Sequence, residues 1–203
     1  MGGALYRIDA DDERSRGEIA RLSHHTEMDK FFSTVERRAF LMARTALRNQ
    51  EDALDVVQDA MMMLVKNYRH KPADEWRLLF FRILNNRIKD TIRRRMVRSK
   101  FGGWLPRSGQ ENEEAGDPFQ QVADSAANNP AEDLARRQSM EALASAVANL
   151  PTRQREAFML RCWEGLSTIE TAAVMKCSEG SVKTHYSRAL YFLQEQLKEY
   201  RDD

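Results

Sequence analysis

Wherever apolar positions recur regularly in this chain, they do so at helical spacing. Phe32, Val35, Ala39, Met42 and Ala46 repeat at intervals of three and four, which sets them on one face of a helix beginning near Met28. Arg48-Asn49-Gln50 interrupts that stripe, and a second helix follows with Ala53, Val56, Ala60 and Leu64 on its inner side. His70-Lys71-Pro72 ends the second helix, because proline drives the residue before it out of helical backbone. A third helix runs from about Asp74, carried by Phe81, Leu84, Ile88 and Ile92. No stretch alternates apolar and polar residues as a strand would.

The pattern then lapses. Gly102-Gly103, Pro106, Gly109, Gly116 and Pro118 lie among Gln, Asn, Glu and Ser. This predicts a flexible linker over residues 101–128, too long for a tight connection inside one compact domain. Helix resumes at Asn129-Pro130-Ala131-Glu132, with asparagine at the N-cap, proline first and glutamate third. Residues 1–26 show no periodicity and predict a mobile tail. The expected fold is all-α, with two small helical domains over residues 27–100 and 129–203 on a flexible acidic linker.

The second domain carries a recognisable local order. Leu150-Pro151 ends one helix and starts another through Arg161, which Gly165 closes. Ser167 caps a short helix from Thr168 to Met175, Cys177-Ser178 makes a tight turn, and Ser178 caps a final helix from Glu179 to about Tyr200. A short helix, a brief turn and a longer helix form a helix-turn-helix. On the last helix Val182, Tyr186, Ala189, Leu193 and Leu197 make the packing stripe. Ser181, Thr184, His185 and Arg188 lie opposite, with Lys183 at the margin, a set of short hydroxyls and long donors suited to base edges and phosphates. Any solvated helix face can look like this, so the caps and turn lengths carry the reading more than the side chains do.

Charge sharpens the division. The net charge is only +1, yet Arg87, Lys89, Arg93, Arg94, Arg95, Arg98 and Lys100 crowd the end of the third helix against a single acid, Asp90. From Ser108 to Ala135 there is no lysine or arginine, and Glu111, Glu113, Glu114, Asp117, Asp124, Glu132 and Asp133 follow one another. Arg82, Asn86, Lys89 and Arg93 form a stripe of their own on the third helix, as tracking of phosphates requires. Trp76, Phe80 and Phe81 just before it suit either stacking of an unpaired base or the core. Asp52, Asp55 and Asp59, with Gln58 alongside, give the second helix an acidic face that fits a basic protein partner or plain solvation.

The remaining chemistry is sparse. Charged residues at 31% and hydrophobic ones at 42% describe an ordinary globular chain rather than a disordered one. No apolar run approaches the roughly 18 residues of a membrane span, so no membrane insertion is expected. Asp9, Asp11, Asp12 and Glu13 leave no apolar core for a secretory signal, and Cys162 and Cys177 are too few for a disulfide framework. A cytoplasmic location is the expectation. Neither a nucleophile arrangement nor a glycine-rich phosphate loop occurs, and Met61-Met62-Met63 reads as packing. His24-His25 has no carboxylate or cysteine at ligand spacing, so neither a metal nor another cofactor is expected.

Together these motifs resemble a known family. Ala53-Leu54-Asp55-Val56-Val57-Gln58-Asp59, Phe80-Phe81-Arg82-Ile83-Leu84-Asn85-Asn86 and the run from Ile88 to Arg95 resemble conserved region 2 of the extracytoplasmic-function sigma factors. Leu150-Pro151, Arg155-Glu156-Ala157-Phe158, Gly165-Leu166-Ser167, Glu170-Thr171-Ala172 and Gly180-Ser181-Val182-Lys183 resemble their region 4, and the likeness covers about residues 28 to 198. It implies a non-enzymatic protein that directs bacterial core RNA polymerase to promoter DNA. Asp52, Asp55, Gln58 and Asp59 would dock on the polymerase. Arg82, Asn86, Lys89, Arg93 and Arg94 would engage and open the −10 element, Asn86 helping to hold a flipped base. Ser181, Lys183, Thr184, His185 and Arg188 would read the −35 element. An anti-sigma partner is implied as well.

Leu54, Asp59, Phe80-Phe81, Thr171 and His185 depart from the family's usual residues, and the neutral imidazole of His185 leaves the −35 preference open. A free-standing helix-turn-helix regulator with a helical sensor domain is the alternative, although no sensor pocket or dimer face is evident. A nucleic-acid enzyme is a third possibility, and would need a metal or nucleophile cluster.

Overall fold

A computed structural model describes the backbone of residues 5–101 and 130–200, and the side chains of 26–98, 136–198 and 200. Among these residues all regular structure is helical. Three helices form the N-terminal half: α1 (Leu5–Leu47), α2 (Gln50–Tyr68) and α3 (Ala73–Phe101). Four form the C-terminal half: α4 (Pro130–Asn149), α5 (Thr152–Phe158), α6 (Thr168–Met175) and α7 (Glu179–Gln196).

The breaks in the N-terminal half are local chemistry. Arg48 turns the chain out of α1 with a left-handed backbone (φ 52°). Asn49 then caps α2, its side chain accepting from Asp52 N at 2.8 Å, and Glu51 and Asp52 place negative charge against the positive end of the helix dipole. The stripe residues Val35, Ala39 and Met42 of α1 meet Ala53, Val56, Ala60 and Leu64 of α2 and Phe81, Leu84 and Ile88 of α3 in the core. Trp76, Phe80 and Phe81 are buried there too, and Phe31 packs on Trp76 and Phe80 at centroid separations of 6.0 and 5.9 Å. These three aromatics are core residues, and the base-stacking reading of them does not hold.

Residues 5–26 are helical, as the first part of α1, where the lack of periodicity had pointed to no element. The physical reason is that this stretch is rich in Ala, Glu, Arg and Leu, which favour helix without needing an apolar stripe. A polar helix is invisible to a test of hydrophobic periodicity. The acidic linker lies outside the described residues except for Phe101, the last residue of α3.

In the C-terminal half α5 does not continue regularly to Arg161. From Met159 to Trp163 it widens into a π-helical turn, with Glu164 N donating to Met159 O at 3.0 Å. Gly165 then takes φ 58°, where a side chain would be strained. The last helix stops at Gln196, and a short 3₁₀ turn covers Lys198–Tyr200. One apolar core runs through both halves, with Leu150, Met159, Leu160, Leu166, Met175 and Val182 contributed by the second.

Candidate nucleic-acid interface

The helix-turn-helix is built by caps. Ser167 and Glu170 form a reciprocal capping box at the start of α6: Glu170 N donates to Ser167 Oγ at 3.1 Å, and Ser167 N donates to Glu170 Oε2 at 2.7 Å. These hydrogen bonds favour the charged carboxylate and lower the pKa of Glu170. Lys176 closes α6 in left-handed backbone (φ 54°), and Arg153 Nη1 donates to the terminal carbonyl of Met175 at 3.1 Å. Ser178 Oγ accepts from Ser181 N at 3.2 Å and starts α7. Val182, Ala189 and Leu193 bury one side of α7, and Arg161 lies 5.7 Å over the ring of Tyr186.

The opposite side of α7 is open. Lys183, Thr184 and Arg188 are exposed, and Ser181 and His185 are half-buried. Two hydroxyls are already engaged within the chain: Thr184 Oγ1 donates to Gly180 O at 2.9 Å, and Ser181 Oγ lies 2.9 Å from Ser178 Oγ. Lys183 and Arg188 remain as the long, forward-reaching donors of the five.

On α3 the stripe is less open. Arg82, Arg93 and Arg94 are exposed and Asn86 is half-buried, whereas Lys89 Nζ lies 3.1 Å from Glu156 Oε1 of α5. Arg93 pairs with Asp90 at 3.4 Å, and Arg94 reaches Asp90 O and Thr91 on its own helix.

The acidic face of α2 divides. Asp52 accepts from the guanidinium of Arg95, which also donates to Leu47 O at 2.6 Å, and Asp59 lies 3.8 Å from Arg87. These two carboxylates help hold α3 against α2. Asp55 and Gln58 point outward, beside the exposed side chains of Leu54, Met62 and Val65. That apolar neighbourhood was missed from sequence. The available signal was that Leu54, Met62 and Val65 fall off the stripe formed by Ala53, Val56, Ala60 and Leu64.

The structure therefore contains an exposed recognition-type helix, a cation-rich helix and an amphipathic patch on α2. The model of sigma-70 region 2 matches residues 31–97, and that of sigma-70 region 4 matches residues 140–193. The chain belongs to the sigma-70 family of RNA polymerase sigma factors, in its extracytoplasmic-function class.

The sigma factor is 31% identical to the RNA polymerase sigma-E factor of Streptomyces avermitilis, over 86% of this chain and 88% of that relative. It is 28% identical to the ECF RNA polymerase sigma factor SigM of Mycobacterium tuberculosis, over 87% of this chain and 82% of that protein. In fold it resembles the sigma factor RpoE solved in complex with the anti-sigma factor NepR from Bartonella quintana. That likeness has a TM-score of 0.58 and 24% identity, over 86% of this chain and 98% of the other. The free-standing regulator is not favoured by these likenesses. Among the described residues no helix is long and apolar enough to cross a membrane. His24 and His25 lie outside the residues whose side chains are described.

Proposed function

We propose that the sigma factor divides promoter recognition between two helices, α7 reading the duplex at −35 and α3 engaging and opening the −10 element. The observation that carries this reading is the outward face of α7, where Lys183 and Arg188 stand exposed on a helix capped and seated as in a helix-turn-helix. Ser181, Thr184 and His185 complete the −35 set, and Arg188 is the best placed for a bidentate base or phosphate contact. On α3, Arg82, Lys89, Arg93 and Arg94 supply charge to the phosphates, and Asn86 supplies an amide to an extruded base.

Core polymerase docks on α2. Asp55 and Gln58 provide the polar contacts and Leu54, Met62 and Val65 the apolar area, while Asp52 and Asp59 hold α2 to α3. The protein acts in the cytoplasm by binding alone, without catalysing a reaction. An anti-sigma partner is part of the proposal, supported by the fold neighbour solved in complex with NepR.

Transcription with purified bacterial core polymerase, on DNA from upstream of the protein's own gene, tests this reading. A discrete transcript that appears only with the sigma factor is expected, together with a core complex on a native gel. Failure to bind core would overturn the proposal.

A further inference from the structure

The two tyrosines of α7 face in different directions. Tyr186 lies on the packing side, half-buried, with Arg161 5.7 Å over its ring. Tyr191 comes five residues later, about 140° further round the helix, and is 67% exposed. It therefore stands on the side away from Val182, Ala189 and Leu193. A single exposed aromatic is ordinary on a protein surface, so its place on the helix carries the argument.

Thr184, Arg188 and Tyr191 follow one another at i, i+4 and i+7, which puts them in one row at the centre of the outward face. Ser187 is exposed beside them. The hydroxyls of this face differ in reach. Thr184 Oγ1 donates to Gly180 O at 2.9 Å and Ser187 Oγ to Thr184 O at 3.1 Å, so both donors are spent on the helix's own carbonyls. Tyrosine both donates and accepts, and its rigid ring holds the hydroxyl away from the backbone.

Distance along the helix sets what that hydroxyl meets. A recognition helix presents its N-terminal residues to base edges in a major groove about 12 Å wide. From Ser181 to Arg188 the helix rises about 10 Å, which takes it across most of that width. Tyr191 stands about 4.5 Å beyond Arg188, at the rim where the sugar-phosphate backbone runs. One turn further along the same row is Glu195, whose carboxylate repels phosphate and is paired with Lys198 at 2.7 Å. The row that faces DNA thus ends at Tyr191.

We propose that Tyr191 is a further DNA-contacting residue of α7, its phenolic hydroxyl donating to a backbone phosphate at the edge of the −35 element. The proposal rests on the reading of α7 as the −35 helix. A contact of this kind fixes the register of the helix on the duplex and carries no base preference. It brings no charge to the phosphate, so it releases no counterion. Arg188 has a full positive charge and a forked donor set, so its loss alters the base preference, the salt dependence or both.

The test uses holoenzyme assembled from bacterial core polymerase and the full chain, with Tyr191→Phe, Tyr191→Ala or Arg188→Ala. The DNA is a promoter duplex from upstream of the protein's own gene, with a set of duplexes carrying single substitutions across its −35 element. Filter binding over a salt series gives the affinities, and a native gel gives assembly with core. Tyr191→Phe should weaken binding to every duplex alike, about three- to tenfold, with the salt slope, core assembly and Tm unchanged. Tyr191→Ala should lose no less. If Tyr191→Phe binds as the parent does, the hydroxyl contact is overturned, whether or not alanine weakens binding through loss of the ring. A loss confined to particular −35 sequences overturns it too, since a phosphate contact cannot tell bases apart. So does a loss that arises from poorer assembly, which would put polymerase rather than DNA against Tyr191. Arg188→Ala keeps the two layers apart. If it disturbs the −35 profile or the salt slope while Tyr191→Phe binds normally, only the Tyr191 proposal falls. If neither variant changes binding, α7 is not the reader, and the proposal falls with that reading.

Discussion

On α3, Lys89 is held by Glu156 at 3.1 Å and Arg93 by Asp90 at 3.4 Å, whereas on α7 Lys183 and Arg188 project into solvent. The acidic residues differ in the same way. Asp52 and Asp59 of the N-terminal half are tied to Arg95 and Arg87, while Glu170 of the C-terminal half completes its own helix cap. The N-terminal half thus uses polar side chains to hold its helices together. In the C-terminal half the helix-turn-helix caps α6 and α7 from its own residues and leaves one face of α7 exposed. A helix of the second kind can meet duplex DNA without rearrangement. A helix of the first kind has to give up internal partners before those side chains can take others, which fits the role proposed for α3 in a step that follows docking.

The comparison can be broken most severely at the core that supports α3. Phe81 is fully buried, 5.2 Å from the ring of Phe80 in an edge-on arrangement. Phe81→Ala should cost about 3–5 kcal/mol of unfolding free energy. Denaturant titration measures this, and a loss below about 1 kcal/mol would show that the site collapses around the gap. Arg188→Ala comes next, as a loss of contact with little loss of stability. It should reduce initiation at −35-dependent promoters by about 1–3 kcal/mol, or roughly 5- to 150-fold, and unchanged initiation would remove α7 as the reader.

Thr171 sharpens the contrast from inside the helix-turn-helix. It is fully buried in α6 and its hydroxyl has no hydrogen-bond partner, a cost without a compensating contact. Thr171→Val should therefore stabilise the protein by about 1 kcal/mol in the same titration. A destabilised variant would mean that the hydroxyl is satisfied after all.

The smallest effect concerns Glu164. Burial raises the pKa of its carboxyl above 4.5, and Arg38 and Arg77 only partly oppose that shift. The folded chain therefore holds this proton more tightly than the unfolded chain. The contribution to stability is full below pH 4.5 and is lost as pH rises through the raised folded value. Glu164→Gln lacks that loss, so its Tm relative to the parent should climb by about a few degrees over this interval and then level off. A difference that does not change with pH would contradict the shift.

Much of the fold was legible because its signals are local. Ser167 and Ser178 cap the helices assigned to them, and α6 spans Thr168–Met175 as the pattern predicts. What escaped was nonlocal or lacked a period. The helical stretch of residues 5–26 has no apolar stripe. The π-helical turn follows from one extra residue between hydrogen-bond partners, which no spacing rule records. Lys176 takes the left-handed position where glycine or asparagine would have been the signal. Arg48 Nη2 donates to Ala148 O at 2.8 Å, joining residues 100 positions apart, and nothing near Arg48 in the sequence points to Ala148. At the candidate site, residue types were legible and their partners were not: Asp52 and Asp55 look alike in sequence, but only Asp52 meets an arginine of α3.

The division of labour between α7 and α3 is tested most directly by permanganate footprinting of promoter DNA bound to core polymerase with the wild-type, Arg188→Ala or Asn86→Ala sigma factor. At protein concentrations that saturate the DNA, Asn86→Ala should leave the complex bound but with fewer reactive, unpaired thymines around −10. Arg188→Ala should weaken binding while leaving normal reactivity in those complexes that form. Normal melting with Asn86→Ala, or a melting defect confined to Arg188→Ala, would contradict the assignment of the two helices.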